Sequence, residues 1–132
     1  AQQYQYLDGL HFLGFQKHKE LLVQLNDFDL MLHTALEESF GNNLIEAMAK
    51  GMPVVAGEKS GAVPWVLNFG KAGVLVDITR PELISKAIEK LIEHPSEYTK
   101  FSEMGYQNVV DRFSQKSVCG QYVKVYENRI KE

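Results

Sequence analysis

The chain has 132 residues, of which 45% are apolar and 23% charged; that suffices for one domain with a core, is too little for two, and is a globular rather than a disordered composition. A formal net charge of −3 with scattered basic residues gives no electrostatic reason to expect nucleic acid as a partner. Cys119 is the only cysteine, which excludes an intrachain disulfide and a cysteine-built zinc knuckle and fits a reducing compartment. No apolar run reaches the ~18 residues of a membrane span, and no signal peptide is read. The first residue is Ala1 rather than methionine, which suggests a piece of a longer protein.

Short branched apolar runs alternate with helical patterns along the chain, the signature of an α/β fold with a mainly parallel sheet. Residues 10–15 read as a strand, 17–25 as a short helix and 29–34 as a strand with the continuous apolar run Leu30, Met31, Leu32 of a sheet covered on both faces. Residues 35–43 read as a loop, and a helix follows to Lys50, capped by Gly51 and stopped by Pro53. Residues 53–57 are predicted as a strand centred on Val54 and Val55. Residues 58–73 are mostly loop, with one helical turn after Pro64, and 74–77 form a third buried strand. Thr79 and Glu82 have capping-box spacing around Pro81. Leu83, Ile84, Ala87, Ile88, Leu91 and Ile92 then make one apolar helical stripe. Pro95 starts a helix to about Arg112, and a last helix covers about 114–130, with Val118, Tyr122, Tyr126 and Ile130 read as a packing face and Cys119 as a partly buried side chain.

The chemistry concentrates between Glu38 and Ala56. A buried strand ends near Thr34, a glycine-containing loop follows, and a helix begins at the C-terminal edge of the sheet, where open α/β sheets bind ligands. A helix N-terminus offers free N–H groups and partial positive charge, which suit phosphate. Gly41 allows close backbone approach, and Asn42 and Asn43 add donors. Glu38 and Glu46 bracket the turn; they repel phosphate but accept hydrogen bonds from sugar hydroxyls. A phosphate cradle between two hydroxyl acceptors describes a nucleotide-sugar site.

This segment resembles the Glu-x7-Glu signature of glycosyltransferase family 4, with Glu38 and Glu46 at its glutamates and Gly51-Met52-Pro53-Val54-Val55 as its continuation. Residues 9–15, 29–32, 57–67, 71–77 and Phe113-Ser114 resemble further family segments, so the likeness covers nearly the whole chain. It implies a Rossmann-like parallel sheet flanked by helices, part of the C-terminal donor domain of a GT-B fold, with residues 1–132 as a single partial domain. It implies a retaining hexosyltransferase that needs no metal and no cofactor beyond its donor substrate, a UDP-sugar or GDP-sugar. Glu38 would contact the transferred sugar as the catalytic residue. Gly41, Asn42, Asn43 and Leu44 would present the turn to diphosphate and sugar, and Glu46 would hold the ribose hydroxyls. The family often has proline where His33 stands and glutamate where Trp65 stands; both lie near the expected nucleotide and are taken as binding residues. Trp65 is open to stacking on a base or sugar, or to plugging the core.

Partners follow from the same resemblance. An N-terminal acceptor domain and two βα units carrying a cationic clamp are expected outside this chain, leaving a fragment that is inactive alone; the last helix would cross towards that domain, which would leave part of its apolar stripe exposed here. Their strands would fall between residues 9–15 and 29–34, so the first strand is expected to be displaced or to pair with a second copy, giving a dimer. The parent is expected to be cytoplasmic, with peripheral association at the inner membrane face. A GT-B nucleotide-sugar epimerase and a non-enzymatic nucleotide-sugar-binding fragment are the rival functions. Glu46 also has a structural reading, through capping with Asn43 or an ion pair with Lys50. His33 also reads as a polar strand end. His11, His18 and His94 have no partner pattern and read as surface residues.

Overall fold

The computed structural model describes residues 9–130. Helix α1 (His18–Gln24) runs into a 3-10 turn (Leu25–Asp27) and leads to strand β1 (Met31–His33). Helix α2 (Asn42–Ala49) returns the chain to β2 (Val54–Gly57); α3 (Val63–Val66) and a 3-10 turn (Asn68–Gly70) return it to β3 (Val74–Val76). Three helices close the chain: α4 (Pro81–Glu93), α5 (Pro95–Arg112) and α6 (Gln115–Ile130). The strands form one parallel sheet in the order β1-β2-β3, flanked by helices, as the sequence predicts.

β2 is buried along its whole length, which matches its unbroken apolar run. β1 and β3 are its neighbours on either side, with Leu32 of β1 40% exposed. β3 is only half-buried, and among the described residues no further strand pairs with its outer edge. Helix α2 fills the space beside β2 with Leu44, Ala47 and Met48, and the α3 segment adds Val63, Val66 and Leu67; full burial of a leucine- or methionine-sized chain stabilises by roughly 1.5–3 kcal/mol. α5 comes close through Gly105, where an added Cβ would lie 3.2 Å from Met48 Cγ and 3.3 Å from the Ala72 carbonyl oxygen. The buried Asn108 is satisfied there, donating to the Val66 carbonyl at 2.9 Å.

The end of α2 is as the sequence predicts. Gly51 adopts a left-handed φ of 72°; its N–H donates to Met48 O at 3.0 Å and that of Met52 to Ala47 O at 3.1 Å, a Schellman cap. The start of α4 differs. Thr79 and Glu82 form no capping box: Thr79 Oγ1 donates to Asp77 at 2.6 Å, and Glu82 accepts from Arg80 Nε at 2.8 Å. The nearer carboxylate captures the hydroxyl before the helix begins.

Three further expectations are corrected. Residues 10–15 form no strand: Gly14 turns to φ 64°, Phe12 and Phe15 are 86% and 95% exposed, and no β1 pairing reaches them. The α6 face of Val118, Tyr122, Tyr126 and Ile130 is exposed rather than packed, since α6 leaves the sheet and touches chiefly α5. Cys119, on the same helix, is exposed. No described helix is long and apolar enough to cross a membrane.

The hydrogen bonds from Thr79, side chain first and then N–H, hold the Asp77 carboxyl below its usual value. A depressed folded-state pKa contributes stability that is present above the unfolded value, about 3.9, and is lost as pH falls through the folded one. Thr79→Val is therefore expected to lower the urea midpoint at pH 7, and the gap to the wild type should close as the pH is taken below the ordinary aspartate range.

Candidate functional site

The parallel sheet puts the ends of all three strands on one edge, with His33 opposite Ala56 and Gly57 opposite Val76. The loop after β1 carries Glu38 and turns into α2 at Gly41. Gly41 is buried at φ 85°, ψ 55°, a left-handed conformation that costs a side-chain-bearing residue energy. An added Cβ there would lie 2.8 Å from Leu44 Cδ1. Leu44 is fully buried and its N–H is taken by the Gly41 carbonyl and Asn43 Oδ1, both at 3.0 Å. It anchors the turn from inside the core. Asn42 and Asn43 are exposed, and their N–H groups stand in the first turn, where no intrahelical acceptor exists.

Glu38 points its carboxylate into this turn. The Phe40 N–H donates to Oε1 at 3.2 Å and holds the carboxyl below its usual value; desolvation opposes this, and the His33 ring and the Gly41 N–H assist. His33 is 6% exposed, with Nε2 3.4 Å from Glu38 Oε2. Its Nδ1 is buried without a hydrogen-bond partner. Glu38 is thus ionised at neutral pH: it can accept hydroxyl protons in hydrogen bonds and face positive charge, and it is poorly suited to be a proton donor.

Glu46, one turn into α2, is half-buried and meets His18, whose Nε2 lies 2.7 Å from Oε1. It pairs with neither Asn43 nor Lys50, so both structural readings of Glu46 are replaced by a contact 28 residues away in sequence. His18 is exposed but not partnerless, and no local pattern could have shown this. Trp65 does not plug the core: it is 47% exposed. Arg112 lies over its ring at 4.6 Å, with Phe113 edge-on at 5.6 Å and Phe40 at 6.1 Å. These side chains line a groove of about 420 Å³ that continues along α6. Trp65 thus joins the Glu38 loop through Phe40, two residues beyond Glu38.

An open parallel sheet flanked by helices, with its loops and a helix N-terminus gathered at one edge, is the framework of a Rossmann-like α/β domain. The profile of the family described as Glycosyl transferases group 1 matches residues 1–108, and the chain belongs to that family. It is similar to MMP alpha-(1->4)-mannosyltransferase of Mycolicibacterium hassiacum, 31% identical over 124 residues that cover 93% of this chain and 30% of that protein. It is also similar to N-acetyl-alpha-D-glucosaminyl L-malate synthase of Bacillus anthracis, at 28% over 125 residues, 95% of this chain and 32% of that protein. Among solved structures, sucrose-phosphate synthase from Thermosynechococcus elongatus superposes with a TM-score of 0.82 at 25% identity, over 98% of this chain and 32% of that one. Anabaena HepE in complex with UDP and glucose does so with a TM-score of 0.76 at 27% identity, over 96% and 34%. The chain thus spans about a third of the length of these relatives. The fold is that of GT-B glycosyltransferase C-terminal domains.

Gly41→Ala forces a Cβ into the left-handed turn and against Leu44. It is expected to cost about 1 kcal/mol or more, read as a lowered urea midpoint with the denaturant slope unchanged.

Proposed function

We propose that the parent protein is a retaining glycosyltransferase of family 4 and that this chain is its donor-binding half. It transfers a hexosyl unit from a UDP- or GDP-sugar to a glycan, lipid-linked saccharide or similar acceptor, in the cytoplasm. The observation that carries this reading is the ionised Glu38 held by loop N–H groups beside the free first turn of α2. One turn offers both chemistries that a nucleotide sugar needs, donors for the diphosphate and acceptors for hydroxyls. Relatives named as sugar transferases, and a structural neighbour holding UDP and glucose, support the substrate class.

In this reading the Asn42 and Asn43 N–H groups face the diphosphate, with the helix N-terminus offsetting charge on the departing nucleoside diphosphate. Glu38 accepts from hydroxyls of the transferred sugar, and its negative charge faces the positive charge that develops at the anomeric carbon. Glu46 exchanges His18 for the ribose hydroxyls. His33 holds the Glu38 carboxylate from the sheet side, and Trp65 borders the site beyond Phe40. Transfer needs no metal, so the rate is unchanged by EDTA.

Two measurements test this. Ligand-observed NMR of the chain with UDP, GDP, ADP and their sugar conjugates is expected to select one base, with weak affinity. Glu46→Ala should weaken that binding about tenfold or more, the loss of a charge-assisted hydrogen bond; binding undiminished by the substitution would remove the ribose role. In the whole protein Glu38→Ala is expected to lower kcat/KM for transfer about 100-fold or more, and unchanged turnover would sink the sugar-contact role.

A further inference from the structure

The loop that bears Glu38 is held through the Phe40 ring and the His33 contact, and its backbone is tied to the rest of the chain at one point. Leu36 and Phe40 are 64% and 40% exposed. Among the described residues, one backbone–backbone hydrogen bond ties residues 35–40 to another element: the Ala62 N–H donates to the Glu38 carbonyl at 2.9 Å. That donor sits in the loop after β2, 24 positions along the chain. The loop is itself fixed from below. Ser60 is 2% exposed, the Ser60 N–H and the Val63 N–H close turns at 3.4 and 3.1 Å, and Gly57 leaves no room for a side chain because Ser60 fills it.

Gly61 lies between these points at φ 55°. An added Cβ would fall closer than 3.0 Å to the Glu38 carbonyl oxygen and 3.2 Å from both the Glu38 carbonyl carbon and nitrogen. The clash is with backbone, so no side-chain rotation relieves it. We propose that Gly61 is a positioning residue for Glu38: its missing side chain lets the β2 loop dock on the backbone of residue 38, and the Ala62 N–H then fixes the carbonyl so that the carboxylate meets the Phe40 and Gly41 amides. Gly61 touches no ligand and acts through Glu38 alone. The inference rests on the reading of Glu38 as the sugar-contacting residue, but the geometry of the docking does not.

The consequence reaches the chemistry because Glu38 is placed by its backbone. A Cβ at residue 61 must lift one loop from the other and take the Ala62 N–H from the Glu38 carbonyl, which frees the backbone that aims the carboxylate at the Phe40 and Gly41 amides and weakens the contacts that lower its pKa. A displacement of about 1 Å at a reacting group costs on the order of 100-fold in rate.

The test is an NMR pH titration of the Glu38 carboxyl in this chain, wild type against Gly61→Ala, alongside transfer kinetics of the whole protein. The wild-type carboxyl should titrate below the ordinary glutamate range of about 4.3. In Gly61→Ala it should rise toward that value, with chemical-shift changes concentrated in residues 33–41. In the whole protein kcat should fall about 100-fold, with the donor KM changing far less. A merely structural glycine would lower the melting temperature and leave both the Glu38 titration and the kcat of the folded enzyme unchanged, and that result would overturn the proposal. Where Gly61→Ala does not fold, Gly61→Asn tolerates the left-handed backbone while keeping the offending Cβ. An unmoved Glu38 titration in it is equally decisive against docking. A moved titration together with a fully active Glu38→Ala enzyme would keep the positioning role and remove the sugar contact. An unmoved titration together with an inactive Glu38→Ala enzyme would do the reverse.

Discussion

Strand β2 is hydrogen-bonded to β1 on one edge and to β3 on the other and is buried along its whole length. With its register set against Met31–His33 on one side and Val74–Val76 on the other, the chain after each strand must emerge at the same edge of the sheet. The loop carrying Glu38, the loop carrying Gly61 and the turn at Asp77 are neighbours for that reason. None of them is adjacent in sequence. A slip of one residue in either pairing would turn every side chain of that strand to the opposite face.

The site built on that edge combines charges that oppose one another. A helix N-terminus favours an anion, and the Glu38 carboxylate takes part of that role through the Phe40 and Gly41 amides. Glu46, deeper in the helix, is occupied by His18. Both carboxylates that bracket the turn are thus engaged with the protein's own donors. His33 is the least satisfied group in this arrangement, buried with one ring nitrogen toward Glu38 and the other without a partner.

The periphery is governed by different physics. Trp65, Phe40, Phe113 and Arg112 form a ring-and-cation group at the rim of the core, with Phe113 packed against it and Trp65 and Phe40 exposed, and Arg112 also bonds the Trp65 carbonyl and Asn108. These contacts tie α5 to α3 at the point where α6 departs. Beyond it, α6 keeps its apolar side chains exposed, so its helicity comes from backbone bonding and from its junction with α5, not from burial of a stripe.

What the sequence determined by itself was everything that depends on short-range pattern. The alternation of branched apolar runs with helical stripes was enough for the three strands at Met31–His33, Val54–Gly57 and Val74–Val76 and for the main helices, because strand and helix periods differ and the proline and glycine punctuation at Gly51, Pro53, Pro81 and Pro95 is local chemistry. The loop-to-helix turn at Gly41 was legible for the same reason. The tertiary structure decided whatever needs a partner from elsewhere. Residues 10–15 have the composition of a strand, but a strand is stabilised only by a neighbour, and β1 does not pair with them. The stripe on α6 has helical spacing, but spacing does not say what the face meets. The Thr79 N–H had the choice of two carboxylates, Asp77 and Glu82, and in the folded chain it donates to Asp77. His18 meeting Glu46, and Gly61 docking on the backbone of Glu38, join residues more than 20 positions apart. Such contacts carry no local signature, since they are set by where the sheet places its loops and not by the residues that lie beside each partner in the chain.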